Sequence, residues 1–382
     1  MSRNESSRGG SVVLDVILTL ALLAGSAYGC YYVAQKGVKI DQTTTYYVPE
    51  PVEEPIIADP NALLFENTEV PNSETRMGSL ILVNASTPCE PNEAGLVSLY
   101  NKKLDADSHS FSVRDADLLV QEPFADALIE MLNAFNAATE DDNILVNVGY
   151  RSMDAQKELY DKELEATGET TSDRVAQPGF SEFQTGWCVD FSIYDSGDYD
   201  GSGVYEWIDE HCAEYGIVLR YPSGKEDATQ FQYQPWHYRY VGKPHALFMK
   251  QNNLVLEEYL QYVKDAHPYD GEHLKITDAD GKVYEVYYYP ADDGYDSTMV
   301  PIPSGKDYTI SGTNTGGFIV TVDTGETGVP EDNAPAIDAE IPAEGDVPAD
   351  PELSAEGEAP TENAAPAEEA GAEITPIDEP VA

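Results

Sequence analysis

An α+β fold with an all-β appendage at its C-terminal end is what the apolar pattern of this chain predicts, from three observations. Between Leu80 and Val263, short strand-like runs such as Ile144 to Val148 and Ile217 to Arg220 are interleaved with stretches of helical period. The two kinds of segment follow no strict β-α-β rhythm, which argues against a parallel, doubly wound sheet. From Leu274 the period changes to two, with a turn signal at Asp280-Gly281 and no helical stretch between the strand candidates.

The chain opens with Arg3 and Arg8, followed by an apolar run from Ser11 to Ala34 that only Asp15 interrupts and that Lys36 and Lys39 close. The run is long enough to cross a bilayer. It exceeds a secretory h-region and no small-x-small cleavage pattern ends it, so residues 1–35 are expected to form an uncleaved transmembrane signal anchor. Ala27-Tyr-Gly-Cys30 resembles a lipoprotein cleavage box with Ala27 in place of the usual Leu, and a lipidated Cys30 is the alternative. A short basic N-terminus inside puts everything after Ala34 outside, giving a single-pass protein of the cell membrane with its folded part extracytoplasmic. Residues 36–76 are broken by Pro49, Pro51, Pro55, Pro60 and Pro71 and show no period, as expected of a Pro-rich stalk.

The folded domain is expected over 77–265. Leu80-Ile-Leu-Val83 is a buried-strand candidate. Pro123 at a first helical position precedes Phe124, Leu128, Met131, Leu132 and Phe135, a stripe that reads as core. Ile144 to Val148 is a strand leading to a helix with Ala155, Leu159 and Leu164 on one side. Trp187 to Ile193 is the next strand, and Val204, Trp207, Ile208, Cys212 and Tyr215 give the following helix its buried side. Trp236 to Val241 alternates, so His237 and Arg239 share one face and Trp236, Tyr238 and Tyr240 the other. A helix over Leu254 to Val263 closes the domain. Strands at Leu274–Ile276, Val283–Tyr289, Tyr308–Ile310 and Gly317–Val322 then make the small β appendage of 266–325, which reads as a packed structural module.

Residues 326–382 contain no Lys or Arg and few large apolar side chains, the composition of a disordered, self-repelling acidic tail rich in Pro, Ala and Glu. With 382 residues and a formal net charge of −49, a role on nucleic acid is excluded. Four cysteines without a Cys-x-x-Cys pair make neither a disulfide scaffold nor a zinc ribbon. Cys188 and Cys212 are both expected to face the sheet–helix core, either as free buried thiols or as a disulfide.

Five separated motifs carry the chemistry: Gly149-Tyr-Arg-Ser152; Gln156 one helical turn on; Pro178-Gly-Phe-Ser-Glu-Phe-Gln-Thr-Gly-Trp-Cys-Val-Asp190; Leu219-Arg-Tyr-Pro222; and Gln234-Pro-Trp-His237. In this order, over about Leu80 to Val263, they resemble the D-alanyl-D-alanine carboxypeptidases of the VanY type. The resemblance implies a small mixed or antiparallel sheet with flanking helices. It also implies a hydrolytic zinc, which needs three ligands from His and carboxylate, an open position for water, and a carboxylate to take the water's proton. The family's motifs read Ser-x-His-x-x-Gly-x-x-x-Asp and Glu-Pro-Trp-His. Asp190 and His237 therefore fall on metal-ligand positions, Phe183 on that of the first His ligand, and Gln234 on that of the general base. By the same resemblance Arg151 grips the carboxylate end of a peptide through paired hydrogen bonds, and Gln156, Ser181 and Trp236 line the substrate pocket. Phe180 stands where members commonly place a second His.

The departures change the expected chemistry. A phenyl ring offers no lone pair, and an amide cannot accept a proton, which removes general-base assistance typically worth ~10²–10⁴ in rate. His109, His211, His245, His267 and His273 lie at no spacing that points to Asp190. The sequence thus predicts a catalytically inactive, zinc-free relative that binds a peptidoglycan stem peptide or an envelope protein. The alternatives are an active zinc D,D- or L,D-carboxypeptidase with an unorthodox ligand set, and a structural envelope protein with a vestigial pocket.

Overall fold

The computed structural model describes residues 64–330 apart from Asn92 and Asp173. The anchor expected over 1–35 with Cys30, the stalk up to residue 63, and the tail from 331 on lie outside the described residues. Among the described residues no helix is long and apolar enough to cross a membrane.

The first half of the fold runs β1 (Phe65–Pro71), β2 (Leu96–Ser98), α1 (Leu99–Asp105), β3 (Ser112–Val113), β4 (Leu119–Gln121), α2 (Glu122–Thr139), β5 (Ile144–Val148) and α3 (Met153–Thr167). Then come β6 (Cys188–Ile193), α4 (Glu206–His211), β7 (Ile217–Tyr221), α5 (Glu226–Thr229), β8 (Gln234–Tyr240), α6 (Lys243–Gln251) and α7 (Leu256–Ala266). The appendage contributes β9 (Leu274–Thr277), β10 (Lys282–Pro290), β11 (Ser297–Pro303), β12 (Tyr308–Gly312) and β13 (Gly317–Thr327).

The central sheet has the order β3-β5-β6-β8-β7, parallel only between β3 and β5, so it is the mixed sheet expected. Its period-two pattern divides the two faces. Val189, Phe191 and Tyr238 point to one side, where they pack with the fully buried Phe124, Leu128, Met131, Leu132 and Phe135 of α2. The opposite face is left to polar side chains, and the functional site is built there.

A second core joins the central domain to the appendage. Phe248, Leu256, Tyr259, Leu260 and Val263 of α6 and α7 pack against Ile276, Val286 and Ile319 of the antiparallel sheet β12-β13-β10-β9. Buried His245 ties the two parts further, sharing hydrogen bonds with the Tyr259 hydroxyl (2.6 Å) and with Thr321 Oγ1 (3.0 Å). The boundary drawn at 265/266 is therefore no break in packing.

Four expectations are corrected. The stalk ends before Phe65, because β1 pairs antiparallel with β11 from Phe65↔Pro303 to Pro71↔Ser297, and Asn72–Arg76 follows as a 3-10 turn. Phe65 packs edge-on against Tyr269 at 5.2 Å, Val70 is buried, and the Asn72 amide donates to the carbonyls of Asp292 and Tyr295. Leu80 to Val83 is buried but forms no strand: its backbone bonds go to Thr313 and to the Arg239 side chain. In α3 the only buried residue is Gln156, and Leu159 is exposed. Cys188 and Cys212 are free thiols on different sides of the sheet: Cys212 belongs to the α2 core, whereas Cys188 lies two residues from Asp190 and shares its face.

If β1 is integral to the fold, Val70→Asp should destabilise the protein by more than about 3 kcal/mol by burying an unpaired charge, measured by urea unfolding. A residue in a solvated stalk would tolerate it.

Candidate functional site

Asp190 and His237 meet because the chain pairs them directly: they are opposite residues of β6 and β8, as are Cys188 and Arg239 one step along the same face. The 3-10 turn Glu182–Thr185 sits over this face. Several bonds hold it. Thr185 Oγ1 donates to the Glu182 carbonyl (2.6 Å), the Gln184 side chain accepts from Gly179 N (2.7 Å), and Gln121 N donates to the Gly186 carbonyl (2.9 Å). Gly186 ends the turn at φ +72°, where a Cβ would lie 2.5 Å from Leu96 Cδ2, so only glycine fits.

Glu182, which this turn places, is the residue that motif reading passed over. Its carboxylate accepts from Arg220 Nε (2.8 Å), Arg239 Nη1 (2.8 Å) and His237 Nε2 (3.2 Å). Arg220 continues to Glu257 through two bonds of 2.7 and 2.8 Å, and His237 Nδ1 donates to Asp190 Oδ1 (2.8 Å). Three carboxylates thus face three cations. Burial alone would raise the Glu182 pKa, but Arg220, Arg239 and His237 overcome it and hold the group well below the usual carboxylate range. Burial likewise works against the charge on His237, and Cys188 together with the Asp190 and Glu182 carboxylates outweighs it and holds the ring well above its ordinary value. With a carboxylate at each nitrogen, the ring satisfies both acceptors only as imidazolium, with both nitrogens donating.

The residues singled out in the sequence come together in one cleft of about 220 Å³ above this hub. Arg151, Gln156, Ser181, Asp190, Gln234, Trp236 and His237 all line it. Phe183 lines the same cleft, between Arg151 and His237. Its ring meets the His237 ring edge-on at 5.1 Å, and the Arg151 guanidinium covers it at 4.7 Å. Arg151 is held by a backbone bond to the Phe183 carbonyl (3.0 Å) and by Nη1 donating to Gln156 Oε1 (2.8 Å), while Gln156 Nε2 donates to the Ala176 carbonyl (2.6 Å). Phe180 is elsewhere, in a neighbouring depression. None of the other five described histidines lines the cleft.

These side chains do not fit a hydrolytic zinc. The third ligand position holds a phenyl ring. His237 Nδ1 and Asp190 Oδ1 face each other at 2.8 Å, closer than the roughly 3.3 Å that two ligands about 2.0 Å from a tetrahedral metal require. Glu182, Cys188 and His237 do bring three possible ligand atoms within 4.8 Å of one another. All three residues are buried, and Glu182 would have to release Arg220 and Arg239. Burial also pushes the Cys188 thiol up, away from the thiolate a metal needs.

Replacing Glu182 by Gln should cost roughly 3–5 kcal/mol, because it leaves two buried guanidinium groups underpaired; urea unfolding measures it. The pH dependence has a fixed sign. The lowered Glu182 contributes stability that is present above the unfolded carboxylate pKa and is lost as pH falls through the folded value, so Glu182→Gln should flatten the acid limb of the stability curve.

Comparison with known proteins agrees with the shared motifs and the fold. The family model for VanY, D-alanyl-D-alanine carboxypeptidase, matches residues 117–243. A D-alanyl-D-alanine carboxypeptidase of Enterococcus faecium is 33% identical over 268 residues, 69% of this chain and 82% of the relative. The bifunctional D-Ala-D-Ala dipeptidase and carboxypeptidase VanXYC of Enterococcus gallinarum is 33% identical over 157 residues, 39% of this chain and 81% of that protein. Among solved structures, the D,D-dipeptidase VanXYg in complex with a D-Ala-D-Ala phosphinate analog superposes with a TM-score of 0.59 at 32% identity, covering 68% of this chain and 99% of that one. On the shared motifs, the α+β fold and the extent of these matches, the chain belongs to the D-alanyl-D-alanine carboxypeptidase family.

Proposed function

We propose that this protein is a membrane-anchored cell-envelope member of the family that holds the carboxylate end of a peptidoglycan stem peptide, or of an envelope protein, without hydrolysing it. The observation that carries the reading is the Arg151–Phe183–His237 stack: an aromatic ring takes the third ligand position and leaves a guanidinium facing the cleft. Among the described residues no carboxylate lies within ion-pair distance of Arg151, whose polar side-chain contact is the neutral Gln156. Burial works against its charge, which makes a ligand carboxylate a favourable partner. Gln234 lines the same cleft at the general-base position and can orient a water without accepting its proton.

A second reading rests on Glu182, Cys188 and His237, which could take a metal if the ion pairs around Glu182 opened. It would make a buried metal rather than a catalytic one.

In the proposed reading, a D-Ala-D-Ala-terminated peptide binds to the purified protein, Arg151→Ala weakens it by at least about tenfold, and no D-alanine is released. Phe183→His should raise zinc content toward one per chain with little hydrolysis, and adding Gln234→Glu should produce measurable release. Chelator-sensitive release of D-alanine by the unaltered protein would refute the proposal.

A further inference from the structure

The joint between the central domain and the appendage buries a charge that packing alone does not explain. Pairing across the antiparallel sheet sets Leu274, Val286 and Thr321 in one row and Ile276, Tyr284 and Asp323 in the next. The first row is core: Leu274 and Val286 pack with α6 and α7, and Thr321 bonds His245. In the second row the apolar pattern breaks at Asp323. Two residues beyond Ile276, just past the end of β9, stands Asp278 with 1% of its surface exposed.

The β9–β10 turn explains half of the Asp278 carboxylate. Oδ1 accepts from Asp280 N (3.0 Å) and Lys282 N (2.9 Å), and Gly281 completes the turn at φ +79°. Oδ2 is buried and has no hydrogen-bond partner among the described residues. The Tyr284 hydroxyl stands beside this carboxylate, with Asp323 and Asp280 around it, and burial together with the three carboxylates pushes its pKa up. A neutral phenol offsets no charge. Lys243, the first residue of α6, pairs with Asp280 Oδ2 (2.8 Å) and with Glu130 (3.7 Å). A buried carboxylate oxygen with two more carboxylates near it is costly unless a cation sits among them.

We propose that a calcium ion is held at this joint, on Asp278 Oδ2 and the Asp323 carboxylate, with Asp280 at its rim. The donors are all hard oxygens, and they come from a turn and a separate strand, which suits the adaptable coordination of calcium better than the strict octahedron of magnesium. Such an ion clamps the β9–β10 turn to β13 and, through Asp280 and Lys243, to α6. None of its ligands lines the cleft, so the clamp is independent of what the cleft binds.

Thermal unfolding of the full-length protein in detergent, stripped with chelator and titrated with calcium, tests the clamp. Calcium at about a hundred times its dissociation constant should raise the Tm by roughly 5–10 °C, and magnesium by less. Asp278→Asn keeps an oxygen for the turn's two N–H groups and removes the charge. It should melt no lower than the calcium-free parent and gain nothing from calcium. Terbium, a calcium surrogate, should show tyrosine-sensitised emission that Asp278→Asn abolishes and that Tyr284→Phe also removes, while Tyr284→Phe retains the calcium shift. Should Asp278→Asn fail to fold, Asp323→Asn at its half-buried position carries the test, with calcium affinity expected to fall about tenfold. No calcium shift in the parent, as for a protonated Asp278, overturns the proposal. So does an equal shift in Asp278→Asn or an unchanged affinity in Asp323→Asn, since the ion then binds elsewhere on this acidic chain.

Discussion

Glu182 accepts from Arg220, Arg239 and His237 at once with 1% of its side chain exposed, and the geometry of the site follows from that buried carboxylate. Removing any one partner would leave a charge in a place where water cannot reach it, which is far more costly than losing a surface pair. The arrangement therefore fixes β7 and β8 through their arginines, α7 through Glu257, and the 3-10 turn through Glu182 itself. Arg239 also donates to the carbonyls of Ser79 and Ile81, tying in a segment that is itself bonded to Thr313 of the appendage.

This explains how family architecture and altered side chains at 183 and 234 coexist in one chain. The scaffold depends on the hub, on Gly186, and on the β6–β8 register that sets Asp190 opposite His237. None of these involves the side chains at 183 or 234. A phenyl ring at 183 is accommodated because its face takes the Arg151 guanidinium and it packs edge-on with the His237 ring, filling the space between them. A carboxylate on the far nitrogen can orient a metal-binding imidazole, but here Glu182 in that place completes an ion pair with His237.

Local pattern made α2, β5 and β8 legible in the sequence, because each carries its period within one short window: Phe124 to Phe135 at helical spacing, and His237 and Arg239 alternating with Tyr238. Spaced motifs gathered the cleft residues, from Arg151 to His237. What the sequence hid was non-local. β1 holds only Phe65 and Val70 as buried-side signals and finds its partner more than 220 residues later, in a strand, β11, that contains Pro301 and Pro303 and so reads poorly as sheet. Glu182 looks like any acidic motif residue until Arg220 and Arg239 converge on it. Cys188 could have been placed correctly, since a period of two puts it with Asp190 and not with the core that holds Cys212. The helical stripe of α3 misled because Leu159 lines the cleft instead of the core.

In the proposed reading His237 is an imidazolium locked between two carboxylates and not a metal ligand in waiting. Ring-nitrogen NMR of the purified, histidine-labelled protein tests it directly. Both nitrogens of His237 should carry protons at pH 7 and above, with resonances that do not move when stoichiometric zinc is added. A neutral His237 ring at pH 7, with one nitrogen shifted by one equivalent of zinc, would contradict it.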